Sequence, residues 1–154
     1  MIIKPTNYFI TSGVGTSTFE LVAFDKALLQ SGISNYNLVK VSSILPPGCN
    51  EQKSVSIEEG SILHTAYSYV CSDKVGIISA AIAVAIPCSD NDVGVIMEYS
   101  CFKPKEYAEK RVVEMLKESM SERNIQIKDI KLAASETHVQ TGTFSCVLAA
   151  LAMW

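Results

Sequence analysis

Ser42 and Ser43 stand side by side where a run of alternating apolar residues gives way to Pro46-Pro47-Gly48. A serine hydroxyl held near the carbonyl that precedes it can attack that carbonyl and turn the peptide bond into an ester. Elimination across the Ser43 α and β carbons would then free Ser42 as a new C-terminus. The dehydroalanine left behind would hydrolyse, with loss of ammonia, to a pyruvoyl group, an electrophile made from a serine. A serine pair at a strand exit is more commonly a solvated turn or a backbone cap, and spacing alone leaves both readings open.

Other residues suit the same chemistry. Glu98 shares one side of an apolar strand with Ile96 and Ser100, and desolvation there would keep a carboxyl protonated near neutral pH, as a proton donor must be. An ordinary salt-bridged strand carboxylate is the plainer reading. Asn37 lies six residues before Ser43 on the same expected strand, and its amide could donate to the oxyanion formed in the acyl shift; an edge hydrogen bond would use it equally well. The carboxylate of Asp25, in the first expected helix, could accept the planar fork of a guanidinium group, although helix aspartates are ordinarily just solvated.

Gly13-Val14-Gly15 before a helix could bind an anion, but it lacks the third glycine of a dinucleotide fingerprint and the Gly-Lys-Ser/Thr of a phosphate loop, so it reads as a flexible turn. His64 and His138 are isolated and show no metal-ligand spacing. No metal site is expected.

These residues need elements to carry them. The pattern predicts a strand from Asn7 to Ser12, the glycine turn, and a helix opened by a capping box at Ser17-Thr18-Phe19-Glu20 and closed by Gly32, with Leu21, Phe24 and Leu28 along one face. Asn35 to Ser42 reads as a strand. Ile62 to Cys71 and Val75 to Pro87, separated by Ser72-Asp73-Lys74, read as an antiparallel hairpin whose second strand is buried on both faces. Val93 to Phe102 is a further strand, and Pro104 begins a helix to about Asn124 that turns Ala108, Val112, Leu116 and Met120 to the core. Ile125 to Val139, with a bulge expected near Lys128 and Asp129, and Thr143 to Trp154 complete the strands.

The implied fold class is α+β: a four-layer αββα sandwich that could derive from a duplicated β-α-β-β unit. The 154 residues, 48% hydrophobic, fit a single domain. A net charge of -3 offers no basic stripe, so nucleic acid is not an expected partner. The start MIIKPTNYF lacks the pattern of a signal peptide, and the longest apolar runs fall short of about 18 residues, so no membrane partner is expected. Five scattered cysteines, Cys49, Cys71, Cys88, Cys101 and Cys146, suggest reduced, buried thiols and a cytoplasmic location.

The stretch Phe24-Asp25-Lys26-Ala27-Leu28-Leu29, then Gly32-Ile33, then Asn37 through Gly48 resembles the signature of pyruvoyl-dependent arginine decarboxylases, and the likeness continues through Gly94 to Ser100. The resemblance implies cleavage between Ser42 and Ser43 into a small chain 1–42 and a large chain 43–154. It also implies a covalent pyruvoyl cofactor from Ser43, Glu98 as the acid, Asn37 in processing or substrate orientation, and Asp25 in recognition of the arginine side chain. Homo-oligomers, trimers or hexamers with active sites at subunit contacts, are implied as well. The reaction would convert L-arginine to agmatine and carbon dioxide. A pyruvoyl decarboxylase of another amine, such as S-adenosylmethionine or histidine, and an unprocessed structural or regulatory homologue are the alternatives.

Overall fold

The computed structural model describes residues 2–154 and folds them into two β-sheets packed face to face, with one helix against the outer side of each. In chain order the elements are β1 (Asn7–Ser17), α1 (Glu20–Ser31), β2 (Asn37–Lys40), β3 (Ile44–Leu45), β4 (Asn50–Glu51), β5 (Ile62–Ser72), β6 (Gly76–Pro87), β7 (Gly94–Cys101), α2 (Lys105–Glu122), β8 (Ile127–Val139) and β9 (Phe144–Met153). One sheet runs β2-β5-β9-β1-β4 and the other β3-β7-β6-β8. The expected αββα sandwich is the observed one.

Two strands, β9 and β6, lie inside their sheets and are apolar on both faces. On β9, Val147, Ala149 and Leu151 point between the sheets, while Cys146, Leu148, Ala150 and Ala152 point to α1. On β6, Ala80, Ile82 and Val84 meet the other sheet, whereas Ala81, Ala83 and Ala85 lie under α2. Such continuous apolar runs are what burial on two sides demands. The bulge expected near Lys128 is present: Ile86 pairs with Asp129 and Pro87 with Ile127, so Lys128 is the extra residue.

Three local expectations change. Gly13-Val14-Gly15 is no turn; β1 continues through it to Ser17, and the glycines serve close approach. A Cβ on Gly15 would collide with the backbone of Ala23 and Ala27, and one on Gly13 with Ala27 and Ser31. The capping box does not form either. Phe19 is the N-cap residue of α1 without a side-chain cap, and Ser17 Oγ instead accepts from the Phe19 N–H at 3.2 Å. Because α1 must press its backbone onto β1, its buried residues are the small Ala23, Ala27 and Ser31, and Leu21 is left 77% exposed.

The third change concerns pairing. β5 and β6 do not form a hairpin: β5 pairs with β2 and β9, and β6 with β7 and β8, so the short link between them carries the chain from one sheet to the other. Cys71 and Cys146 face each other across β5 and β9, Cα atoms 4.1 Å apart, and are disulfide-linked; Cys88 is exposed. The reading of all five as reduced, buried thiols does not hold.

Candidate active site

β2 is shorter than its sequence pattern suggests, and where it stops decides the site. It runs parallel to β5 from Asn37–Ile62 to Lys40–Thr65, with a last bond from the Val41 N–H to the Thr65 carbonyl at 3.2 Å. The chain then leaves that sheet and joins the other as β3, where Ile44 and Leu45 pair with Val95 and Gly94. Ser42 and Ser43 are the crossing.

At the crossing the backbone makes a three-residue turn. The Ile44 N–H donates to the Ser42 carbonyl at 3.1 Å, while the Ser43 carbonyl accepts from the Ile96 N–H at 2.9 Å. The carbonyl that a Ser43 hydroxyl would attack is therefore already polarised by a donor, and that donor points where an oxyanion would form. A cavity of about 220 Å³ opens beside it, lined among others by Val41, Ser42, Ile44 and His64.

Glu98 lies on β7, two residues beyond Ile96 and hence about 7 Å further along the strand on the same face. It is half-buried. Its Oε2 is buried without a hydrogen-bond partner, and burial pushes its carboxyl pKa up against the opposing pull of the Lys40 ammonium. Desolvation is the larger cause, so the site favours the protonated acid. Further along, Ser100 Oγ donates to the Tyr69 carbonyl at 3.1 Å and ties the two sheets together at this side.

This side of the sandwich is open. Beyond Thr65 the β5 edge has no β2 neighbour, and beyond Ile96 the β7 edge has no β3 neighbour, among the described residues. Tyr67 and Tyr69 line the β5 edge with ring centroids 6.2 Å apart; Phe24 of α1 meets Tyr69 at 4.6 Å, and Lys40 Nζ sits 5.0 Å from the centre of the Tyr67 ring. Glu20, Leu21, Phe24, Tyr69 and Cys71 enclose a second cavity there of about 270 Å³.

Of the residues singled out in the sequence, one chain brings Ser42, Ser43 and Glu98 together. It does not bring Asn37 or Asp25 to them. Asn37 opens β2, roughly 13 Å along the strand from Val41, and its amide donates to the Gly60 carbonyl at 2.7 Å. Asp25 is on the solvent face of α1. His64 is on β5 and His138 on β8. Lys40, Tyr67 and Tyr69 were missed: a lysine next to an apolar strand end reads as a solvated residue, and tyrosines at alternate positions read as core. The signal was the seating of Lys40 over the Tyr67 ring, visible only once β2 and β5 are known to be neighbours.

Comparison with known proteins bears on this arrangement. The profile of the family described as pyruvoyl-dependent arginine decarboxylase matches residues 7–154. A protein named pyruvoyl-dependent arginine decarboxylase from Methanococcus aeolicus is 41% identical over 151 residues, 97% of this chain and 90% of the relative. Proteins of the same name from Methanocaldococcus jannaschii and Thermococcus kodakarensis are 39% identical over 151 residues (97% of this chain, 90% of the relative) and 38% over 138 residues (88% and 87%).

Proposed function

The chain belongs to the pyruvoyl-dependent arginine decarboxylase family, and on that premise we propose that its pyruvoyl group is made from Ser43 by self-cleavage after Ser42. The protein is a lyase that converts L-arginine to agmatine and carbon dioxide with a covalently bound pyruvoyl group. The observation that carries the assignment of Ser43 is the turn between the sheets, in which the Ile44 N–H already holds the Ser42 carbonyl.

The residues present fit such a group at position 43. The Ser43 hydroxyl attacks the Ser42 carbonyl carbon, the C–N bond breaks, and Ser42 is joined to Ser43 by an ester while the Ser43 nitrogen becomes an amine. The Ile44 N–H stabilises the negative oxygen of this step. Loss of the Ser43 α-proton and of the Ser42 carboxylate from the β-carbon leaves dehydroalanine; its imine tautomer takes up water and releases ammonia. The chain is thereby divided into 1–42 and 43–154.

In turnover the pyruvoyl ketone supplies an electron sink for the substrate α-amine as carbon dioxide departs. Glu98, half-buried and with an unpartnered oxygen, delivers a proton to the substrate α-carbon. The apolar side chains of Val41 and Ile44 beside Ser42, with buried Ile96 behind them, give a cleft whose low polarity favours loss of carbon dioxide.

Asn37 and Asp25 are assigned to processing or substrate orientation and to guanidinium recognition across a subunit contact. Support comes from the exposed apolar residues beside them, Leu21 and Leu29 on α1 and Val39 on β2, which a second chain would cover. A homotrimer or a hexamer of paired trimers is the assembly proposed, and the cytoplasm the location. Among the described residues no helix is long and apolar enough to cross a membrane.

Intact-mass measurement of the denatured protein, with and without phenylhydrazine, tests the assignment. Two fragments meeting at Ser42 and Ser43, with a hydrazine adduct on the larger, are expected; Ser43→Ala should remain whole and inactive. Glu98→Gln should cleave and then lose about a hundredfold in kcat. Full activity in Ser43→Ala would sink the assignment.

A further inference from the structure

Self-cleavage as proposed above leaves a charge that the intact chain does not carry. Once the Ser43 β-carbon parts from oxygen, Ser42 ends in a carboxylate, and a carboxylate without a partner in an apolar site is unfavourable. The cavity of about 220 Å³ beside the crossing is such a site. Val41, Ile44, Pro46 and Met153 stand in its wall, and apart from Ser42 the only polar side chain there, among the described residues, is that of His64.

Strand register turns His64 into that space. On β5 it has the parity of Ala66 and Val70, which pack between the sheets, whereas Leu63 and Tyr67 pack toward α1. Its neighbours across the two ladders are Val39 of β2 and Met153 of β9. Met153 belongs to the inner layer, and Val41, which has the parity of Val39, packs against that layer. With strands about 4.8 Å apart and about 7 Å between alternate residues, His64 lies one diagonal step from Val41, the residue that leads into Ser42. Polar groups nearby are engaged elsewhere: the Asn37 amide donates to the Gly60 carbonyl, the Thr65 hydroxyl to the Leu63 carbonyl and the Ser100 hydroxyl to the Tyr69 carbonyl. The half-buried imidazole has no such bond among the described residues.

We infer that His64 holds the Ser42 carboxylate as it forms and so speeds the elimination step of self-cleavage: it lines the same cavity as Ser42, on the inner face of the sheet that β2 leaves. The inference rests on Ser43 as the source of the pyruvoyl group. In the ester, the former Ser43 Oγ joins the Ser42 carbonyl carbon to the Ser43 β-carbon. The α-proton passes to water, its bonding pair becomes the Cα–Cβ double bond, and the pair of the Cβ–Oγ bond leaves with Oγ. One oxygen of the resulting carboxylate keeps the Ile44 N–H that the Ser42 carbonyl already accepts at 3.1 Å. The other, the former Oγ, accepts from an imidazole N–H. Neutral imidazole carries one such donor, so the step needs no charged histidine. After cleavage the same bond keeps the new end of the 1–42 chain at the cavity.

The experiment follows the full chain by intact mass after cell-free synthesis, with and without hydroxylamine, which opens an ester and leaves an amide chain whole. Wild type is expected to yield a 43–154 fragment bearing the pyruvoyl group. His64→Ala should be processed about a hundredfold more slowly, the loss expected on removing one oxyanion donor, and hydroxylamine should then release a 43–154 fragment that still begins with serine. His64→Gln keeps an N–H donor and should recover most of the rate; His138→Ala, on the exposed end of β8, should behave as wild type.

A His64→Ala chain processed at the wild-type rate would overturn the inference. So would slow processing with no hydroxylamine-sensitive ester, because His64 would then act before the elimination. Should circular dichroism show His64→Ala unfolded, His64→Leu, apolar like the rest of the wall and without a donor, must accumulate the same ester, and its processing at the wild-type rate refutes the inference equally. A wild-type chain that stays whole, or that yields no pyruvoyl group, overturns the Ser43 reading and the inference with it, so the two errors are told apart.

Discussion

The two helices cover equivalent faces of the two sheets and do so by opposite means. α2 follows the ordinary amphipathic rule: Ala108, Val112, Leu116 and Met120 are buried at helical spacing, and charged residues such as Glu114, paired with Arg111 at 3.1 Å, face water. α1 buries only Ala23, Ala27 and Ser31, because its backbone rests on Gly13 and Gly15 of β1. Its larger apolar residues consequently remain outside, with Leu21 77% and Leu29 57% exposed. One helix uses its apolar face to hold the fold together. The other keeps much of that face for a surface beside the proposed site, since Phe24 on the same helix abuts the Tyr69 ring at the open edge.

The contrast can be broken most severely at β1. Gly15→Val would drive a side chain into the backbone of Ala23 and Ala27, which cannot move aside as a flexible side chain would. A loss of about 3 kcal/mol is expected, enough to leave little folded protein on a urea curve. Soluble Gly15→Val with an unchanged unfolding midpoint would mean that α1 docks in some other way.

Leu116→Ala tests the opposite strategy. This residue is wholly buried under α2, so truncation should cost about 3 kcal/mol through lost burial and a cavity. Leu21→Ser, the matching change on the exposed face of α1, should shift stability by less than about 0.5 kcal/mol, yet reduce the oligomer fraction seen by sedimentation. If Leu21→Ser unfolded the chain as readily as Leu116→Ala, the two helices would not differ as described.

The mildest change is Asp25→Ala, on the solvent side of α1. Unfolding and self-cleavage should be unaffected, while the KM for arginine should rise about tenfold, the loss expected of a charged hydrogen bond to a guanidinium group. An unaltered KM would remove Asp25 from the substrate site.

How much of this was legible beforehand varies with the physics of each element. The helix from Lys105, its four core positions, the double-sided burial of β6 and the bulge at Lys128 all follow from periodicity. The Ser42–Ser43 step and Glu98 were nominated through likeness to a known signature, and the fold sets the crossing that holds the serines beside β7, where the Ile96 N–H donates to the Ser43 carbonyl. The glycines of β1 were misread because the same missing Cβ serves a turn or a close approach. β5 and β6 were taken for a hairpin because alternation reports which faces are buried and says nothing of the partner. The length of the link between them did not help, since three or four residues can fold a strand back within a sheet or over onto another. Asn37 looked close to Ser43 because it is close in sequence, but an extended strand carries residues apart faster than any other structure.

By itself, then, the sequence determined the layers and nominated the groups proposed to react: hydrophobic period is a property of each segment, and the serine pair and the acid are chemical identities. Tertiary structure alone decided the pairing of strands, the point where β2 ends, and the seating of Lys40 over the Tyr67 ring at an open edge. Those outcomes depend on hydrogen bonds and desolvation shared between segments far apart in the chain, and no local pattern encodes a distance between them.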